Sequence, residues 1–215
     1  MYSADVNKII PFSSVDGPGN RTAIFLQGCN FNCKYCHNPE TRNLCINCMD
    51  CVPTCPTAAL SNKDGKVVFE PQKCIACDTC IKVCKHGATP RIVRMTSKET
   101  FDKICENVPF IRGITFSGGE CSLYPDFMRE VFTLCKQAGL STMIDSNGSI
   151  DFRKFDDLLE VCDGVMLDIK AYDYNEHIKV TDVGNDIVLN NARYLANIGK
   201  LFEVRTVVVP ELFDF

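Results

Sequence analysis

The chain carries no surplus of basic charge: 23 lysines and arginines stand against 27 aspartates and glutamates in 215 residues, a net charge of −4. A surface that binds a polyanion needs the opposite balance, so there is no electrostatic case for DNA or RNA as a ligand. No apolar stretch approaches the roughly 18 residues that a membrane-spanning helix takes. The start, Met1-Tyr2-Ser3-Ala4-Asp5, lacks the basic residues and apolar core of a secretory leader. The expectation is a cytoplasmic protein with neither nucleic acid nor membrane as partner. Histidine is scarce as well, at three residues. His37 reads as a cap on its loop, while His86 and His177 read as exposed loop residues, so none is expected to move protons.

Cysteine, by contrast, is abundant, with 15 residues. A secreted disulfide scaffold fits poorly, because the count is odd and the residues fall in tight clusters instead of spread pairs. Metal clusters account better for that pattern, and clusters of this kind point to oxygen-poor conditions. Cys29, Cys33 and Cys36 form a C-x3-C-x2-C triplet just after the apolar run Ala23-Ile24-Phe25-Leu26. Three thiolates are one too few for a closed structural zinc site or a fully ligated cubane cluster. A three-thiolate cubane leaves one iron open to a substrate.

Cys45, Cys48, Cys51 and Cys55 read C-x2-C-x2-C-x3-C, and Cys74, Cys77, Cys80 and Cys84 repeat that spacing. This is the run of two-cluster ferredoxins, in which the fourth cysteine of each run serves the other run's cluster. On that pattern Cys45, Cys48, Cys51 and Cys84 hold one 4Fe–4S cluster, and Cys74, Cys77, Cys80 and Cys55 hold a second. A pair of zinc sites is the alternative, since C-x2-C pairs also suit zinc. Val67-Val68-Phe69 suits a small strand within this insert. Cys105, Cys135 and Cys162 fall on apolar stripes and read as core residues. Cys121 follows Glu120 directly and also reads as packing.

The rest of the chain alternates strand and helix patterns. Thr96-x-x-Glu99 is a capping box opening a helix to about Glu106. Gly113–Phe116, Ser141–Asp145 and Val165–Ile169 read as buried strands, and Phe202–Val209 as a last one closed by Pro210. Helices are expected from about Pro125, from about Phe152 to Val161 with Asp151 as N-cap, and from Asp186 to Ile198, where Gly199 ends the helix. The alternation predicts an α/β fold with a parallel sheet, whose ligands gather at the carboxyl ends of the strands. Glu120, Asp145, Ser146, Asp168 and Lys170 all fall at such ends.

The cysteine triplet with Tyr35 before its third member, together with Ser117-Gly118-Gly119-Glu120, resembles the radical S-adenosylmethionine (SAM) enzymes. Val15-Asp16-Gly17-Pro18-Gly19-Asn20-Arg21, Cys36-His37-Asn38-Pro39, Asp145-Ser146-Asn147-Gly148 and Met166-Leu167-Asp168-Ile169-Lys170 are similar to segments of the glycyl-radical-enzyme activases. The two-cluster insert brings the YjjW-type activases closest. The resemblance implies a partial (β/α)6 barrel with three segments: residues 1–40 with the first strand and cluster loop, 41–92 as a ferredoxin-like insert, and 93–215 as the remaining β/α units. It implies three 4Fe–4S clusters, the SAM-binding one on Cys29, Cys33 and Cys36. Tyr35 would then lie against the adenine, Gly118 and Gly119 would let the backbone approach the ligand, and Glu120 would accept from the SAM amine. Asp145, Ser146, Met166 and Asp168 would sit where activases hold a monovalent cation. Lys170 would face the SAM carboxylate or ribose, and Arg205 would fix the methionine end.

The implied activity is reductive cleavage of SAM to methionine and a 5′-deoxyadenosyl radical that takes hydrogen from a glycine Cα of a partner glycyl radical enzyme. The Asp16–Gly19 loop would help receive that glycine. Flavodoxin or ferredoxin is the implied electron donor. The insert clusters read as a relay, a docking platform or a structural staple. Two other functions stay open: a radical SAM catalyst acting on a small molecule, and a multi-cluster electron carrier without catalysis. Five barrel strands are counted, and a sixth β/α unit takes about 30 more residues. The chain therefore reads as C-terminally truncated after strand five.

Overall fold

A computed structural model describes residues 1–210; the last five residues of the 93–215 segment, with the expected truncation point at Phe215, lie outside them. In chain order the elements are β1 (Ser3–Ser13), β2 (Arg21–Leu26), β3 (Leu60–Lys63), β4 (Lys66–Phe69), α1 (Thr79–Lys82), β5 (Val93–Thr96), α2 (Ser97–Cys105), β6 (Gly113–Gly118), α3 (Pro125–Gln137), β7 (Ser141–Ser146), α4 (Asp156–Glu160), β8 (Gly164–Asp168), α5 (Tyr174–Thr181), α6 (Asp186–Asn197) and β9 (Leu201–Arg205). Seven strands make one sheet in the order β5-β1-β2-β6-β7-β8-β9. From β2 to β9 every pairing is parallel. β1 lies antiparallel between β2 and β5. Among the described residues no helix is long and apolar enough to cross a membrane.

The parallel strands occur where the apolar runs predict them, and α2 and α3 start where their caps predict. Thr96 accepts from the Glu99 amide at 3.2 Å while the Glu99 carboxylate accepts from the Thr96 amide at 2.8 Å, a complete capping box. Pro125 opens α3 at a position whose N–H is unused anyway. Ile24, Leu26, Ile114, Phe116, Ile144 and Val165 share one face of the sheet and bury it against Ile104, Phe127, Val131, Phe132, Leu158 and Leu195 from the helices. Phe116 sits at the centre, its ring centroid 5.8 Å from Phe127 and 5.4 Å from Phe132.

Several expectations need correction. The helix foreseen from Phe152 to Val161 is broken: Asp151 caps a single 3-10 turn, Phe152–Lys154, and α4 begins afresh at Asp156. The last strand stops at Arg205, and Thr206–Val209 run on without sheet pairing. β1, β5 and α5 were not foreseen. β1 alternates weakly because most of its residues are only partly buried. Cys105 is exposed, not core. The buried stripe of α2 runs through Ser97, Thr100 and Ile104, which turns position 105 outward. Cys121, Cys135 and Cys162 are buried as expected.

Replacing Phe116 by Ala should lower the unfolding free energy by about 3–5 kcal/mol, the cost of a large core cavity. Val15→Ala, at a side chain 79% exposed, should stay within about 0.5 kcal/mol. Urea unfolding of both variants checks the contrast.

Candidate active site

The cysteine triplet leaves the carboxyl end of β2 on a loop clamped from two sides. On one side the Gly28 and Cys29 amides donate to the Thr41 and Arg42 carbonyls at 2.8 and 2.9 Å. On the other, Asn32 and Lys34 amides donate to the Thr181 and Val180 carbonyls at the end of α5, at 3.0 and 2.9 Å. That helix end is locked by His177, a residue expected to be exposed and found fully buried. Its Nδ1 lies 2.6 Å from the Val183 carbonyl, its ring stands edge-on to Phe31 at 5.5 Å, and its Nε2 has no partner among the described residues. The expectation failed because α5 itself was missed. Its charged Glu176 and Lys179 obscure a short apolar stripe.

Cys29, Cys33 and Cys36 are all partly buried. The Cys29 sulfur accepts from the Phe31 amide at 3.5 Å and the Asn147 side-chain amide at 3.6 Å. Burial pushes its thiol up to about 11, with Glu120 and the other two cysteines adding to the rise. Cys33 is pushed up as well, again by burial first. Thiolates gathered there need a positive group among them. Among the described residues, no three Cys, His, Asp or Glu side chains converge on one ion position.

Gly118 and Gly119 do allow a close approach, but to the chain itself. A Cβ on Gly118, where φ is +123°, would lie 2.3 Å from the Leu26 backbone, and one on Gly119 would lie 2.2 Å from the Gly28 carbonyl oxygen. The turn they make buries Glu120, which is 1% exposed. Its carboxylate accepts from the Ser122 amide (2.9 Å), the Ser146 hydroxyl (2.8 Å) and the Asn147 amide (2.7 Å). Burial pushes this carboxyl up against the pull of those bonds. Ser146 is engaged on both sides, since its hydroxyl also accepts from the Gly148 amide at 3.0 Å. Asn147, which carries no role in the sequence reading, links Glu120 to Cys29.

The sheet face opposite the helices carries charge. Asp145 on β7 accepts from Ser117 at 2.9 Å and lies 3.5 Å from an Arg205 nitrogen. Arg205 also reaches the Met166 sulfur at 3.0 Å. Asp168 pairs with Lys170 at 2.5 Å, and Asp168 lifts Lys170 against the burial that would lower it. The Tyr35 hydroxyl donates to the Lys170 carbonyl at 3.2 Å. Burial and then the neighbouring Asp168 push the Asp145 carboxyl up to about 6. Lower on the same face, Thr115 donates to the Asp16 carbonyl at 2.5 Å. Fully buried Arg21 binds Thr115, the Pro18 and Ile114 carbonyls and Ser141. The Asp16–Gly19 loop thus rests on this face, held by an arginine whose signal in the sequence was only its place at the end of that run.

Two further cavities lie in the segment between β2 and β5. Cys45, Cys48, Cys51 and Cys84 line one, with Ile46, Met49 and Val67. Cys55, Cys74, Cys77 and Cys80 line the other, with Phe69, Thr79 and Arg91. β3 and β4 form the hairpin between them, and Cys51, Cys80 and Leu60 make a small separate core. All fifteen cysteines are free thiols.

Residues 23–214 match the Radical SAM superfamily. The indoleacetate decarboxylase activating enzyme of Tractidigestivibacter scatoligenes is 31% identical over 94% of this chain and 72% of its own length. The pyruvate formate-lyase-activating enzyme of Streptococcus mutans is 33% identical over 97% of this chain and 66% of its own length. The fold resembles that of QueE from Escherichia coli, with a TM-score of 0.51 and 11% identity over 98% of this chain and 86% of that one. At that identity the likeness concerns fold alone. A mostly parallel α/β sheet carrying a three-cysteine loop at its carboxyl edge is the architecture of a radical SAM domain. The chain belongs to the radical SAM superfamily, as an oxidoreductase standing among its glycyl-radical-enzyme activating members.

Because Asp145 binds its proton more tightly when folded than the ordinary carboxyl near 3.8, its contribution to stability is complete below about pH 4 and lost as pH rises through about 6. Asp145→Asn should match the parent at pH 4 and be more stable above pH 6, by on the order of 1–3 kcal/mol. Urea unfolding of the metal-free protein across that range measures the difference.

Proposed function

We propose that the protein activates a glycyl radical enzyme by radical SAM chemistry at the carboxyl ends of β2 and β6–β9. The observation that carries this reading is the juxtaposition of the Cys29–Cys36 loop with Asp145, Asp168, Lys170 and Arg205 on a single sheet edge. A plain electron carrier needs no such charged set beside its cluster. Cys29, Cys33 and Cys36 would hold a 4Fe–4S cluster, a reading supported by their C-x3-C-x2-C spacing on one loop at the carboxyl end of β2 and by the match to the radical SAM superfamily. When bound, the cluster supplies one electron to SAM, whose C5′–S bond breaks to give methionine and a 5′-deoxyadenosyl radical that takes a hydrogen atom from a glycine Cα of the partner.

This chain's residues would bind and orient. Lys170 and Arg205 offer cationic donors to the SAM carboxylate. Asp145 and Asp168, two carboxylates in mutual electrostatic contact, suit a monovalent cation between them. Glu120 gives three acceptor positions to the fold and keeps one of its roughly four lone-pair sites for the SAM amine. Tyr35 would present its backbone to the adenine. Asp16–Gly19 lies on the same face and would meet the entering glycine loop. Lys170, Tyr172, Glu176, Val204 and Val207 line an open cavity next to the Asp168–Lys170 pair. The two quartets of residues 41–92 would carry 4Fe–4S clusters in a ferredoxin-like insert of YjjW type, fed by flavodoxin or ferredoxin. Their cysteines line the two cavities in the crossed sets that such an insert requires.

Anaerobic reconstitution with iron and sulfide, followed by dithionite and SAM, should yield 5′-deoxyadenosine, and Cys33→Ala should abolish it. Co-incubation with a glycyl radical enzyme encoded beside this gene should add a glycyl radical signal by electron paramagnetic resonance. Absence of SAM cleavage from cluster-loaded protein refutes the enzyme reading. Cleavage without radical transfer to any such partner refutes the activase reading.

A further inference from the structure

The two cysteine quartets are near-copies set in near-identical backbone. Cys45-Ile46-Asn47-Cys48-Met49-Asp50-Cys51 aligns with Cys74-Ile75-Ala76-Cys77-Asp78-Thr79-Cys80. Asn47 and Ala76 share left-handed φ values of 59° and 54°, and Met49 and Asp78 share 69° and 60°. Exposure repeats as well: Cys48 and Cys77 are exposed, Cys51 and Cys80 buried, and the other four intermediate. With solvent access matched, the reduction potentials of two bound clusters are left to differ by local charge and by hydrogen bonds to sulfur.

Those two are not matched. In the second quartet Cys55 accepts from the Ala59 amide at 3.2 Å and lies 3.8 Å from the Thr57 hydroxyl. Cys74 accepts from the Ala76 amide at 3.4 Å, and Cys77 lies 3.4 Å from the Thr79 hydroxyl. Arg91 lines the same cavity, reaches Cys74 and pairs with Asp78 at 2.6 Å. Asp78 cancels much of that positive charge, so the weight rests on the donors to sulfur. Among the described residues, the hydrogen bonds that neighbouring residues make to these eight sulfurs all fall on the second quartet. Where it has the Thr79 hydroxyl, the first quartet has Asp50, which lines the first cavity and pairs, among the described residues, with exposed Lys85 at 3.5 Å. A donor to sulfur stabilises the added charge of a reduced cluster, and a nearby carboxylate opposes it.

We propose that the two insert clusters are unequal by construction. The one on Cys55, Cys74, Cys77 and Cys80 has the higher reduction potential, accepts the first electron and stores it. The one on Cys45, Cys48, Cys51 and Cys84 is the low-potential member. The inference rests on the reading of both quartets as 4Fe–4S sites. Each reduction adds one electron from a low-potential donor, dithionite in vitro or a flavodoxin- or ferredoxin-type protein in the cell, and no covalent bond changes.

The test is a potentiometric titration followed by electron paramagnetic resonance on the reconstituted full chain with Cys29, Cys33 and Cys36 all changed to Ala, so that the remaining signals belong to the insert. Two one-electron transitions at separate potentials are expected. Thr79→Val should lower only the upper one, by up to about tenfold in the reduced-to-oxidised ratio, or about 59 mV for one electron. Asp50→Thr should raise only the lower one. About eight irons per chain with coincident transitions, or a Thr79→Val effect confined to the lower transition, overturns the proposal alone. An iron count near four or below overturns the reading of the quartets, and the proposal with it.

Discussion

A single buried carboxylate organises the catalytic edge of this protein. Glu120 sits in the turn after β6 with three hydrogen bonds to its oxygens, from Ser122, Ser146 and Asn147. A charge taken out of water is tolerated only when its acceptors are filled this way, and each donor so used loses its freedom to move. The turn is thereby tied to the end of β7, and Asn147 passes the connection on to Cys29. Gly118 and Gly119 are the condition for it, since a side chain at either would collide with the backbone of β2 or its exit. The cluster loop takes its place from this knot on one side and from the end of α5 on the other.

The parallel strands divide the labour between their faces. Residues of one parity, such as Ile114, Phe116 and Ile144, vanish under the helices and supply the apolar burial that holds the domain together. The other parity carries Thr115, Ser117, Asp145, Met166, Asp168 and Arg205, in register across neighbouring strands. Strand pairing therefore does more than stabilise the sheet. It sets Asp145 beside Met166 and Asp168 beside Arg205, so charged groups distant in sequence become one row. Burial, and then the neighbouring Asp168, makes ionisation of Asp145 on that row unfavourable.

The insert follows different physics. Its hydrophobic core is small, built around Cys51, Leu60 and Cys80, and left-handed residues recur between Cys45 and Cys51 and between Cys74 and Cys80. The repeat gives two copies of one cradle, and the substitutions between the copies, Asp50 against Thr79 above all, make them chemically distinct.

The sequence alone determined the elements whose signal is local. Cysteine spacing marked the triplet and both quartets, because a repeated spacing is a property of neighbouring positions. Capping residues and apolar periodicity marked α2, α3, α6 and the five parallel strands, because caps and faces are properties of neighbouring positions. β1, β5 and α5 escaped, being partly buried or heavily charged. Only the tertiary structure decided that His177 is buried behind the cluster loop, that Cys105 points outward and that Gly118 and Gly119 face backbone. Each of these depends on which distant segment packs against a residue, a quantity that no pattern of neighbours contains.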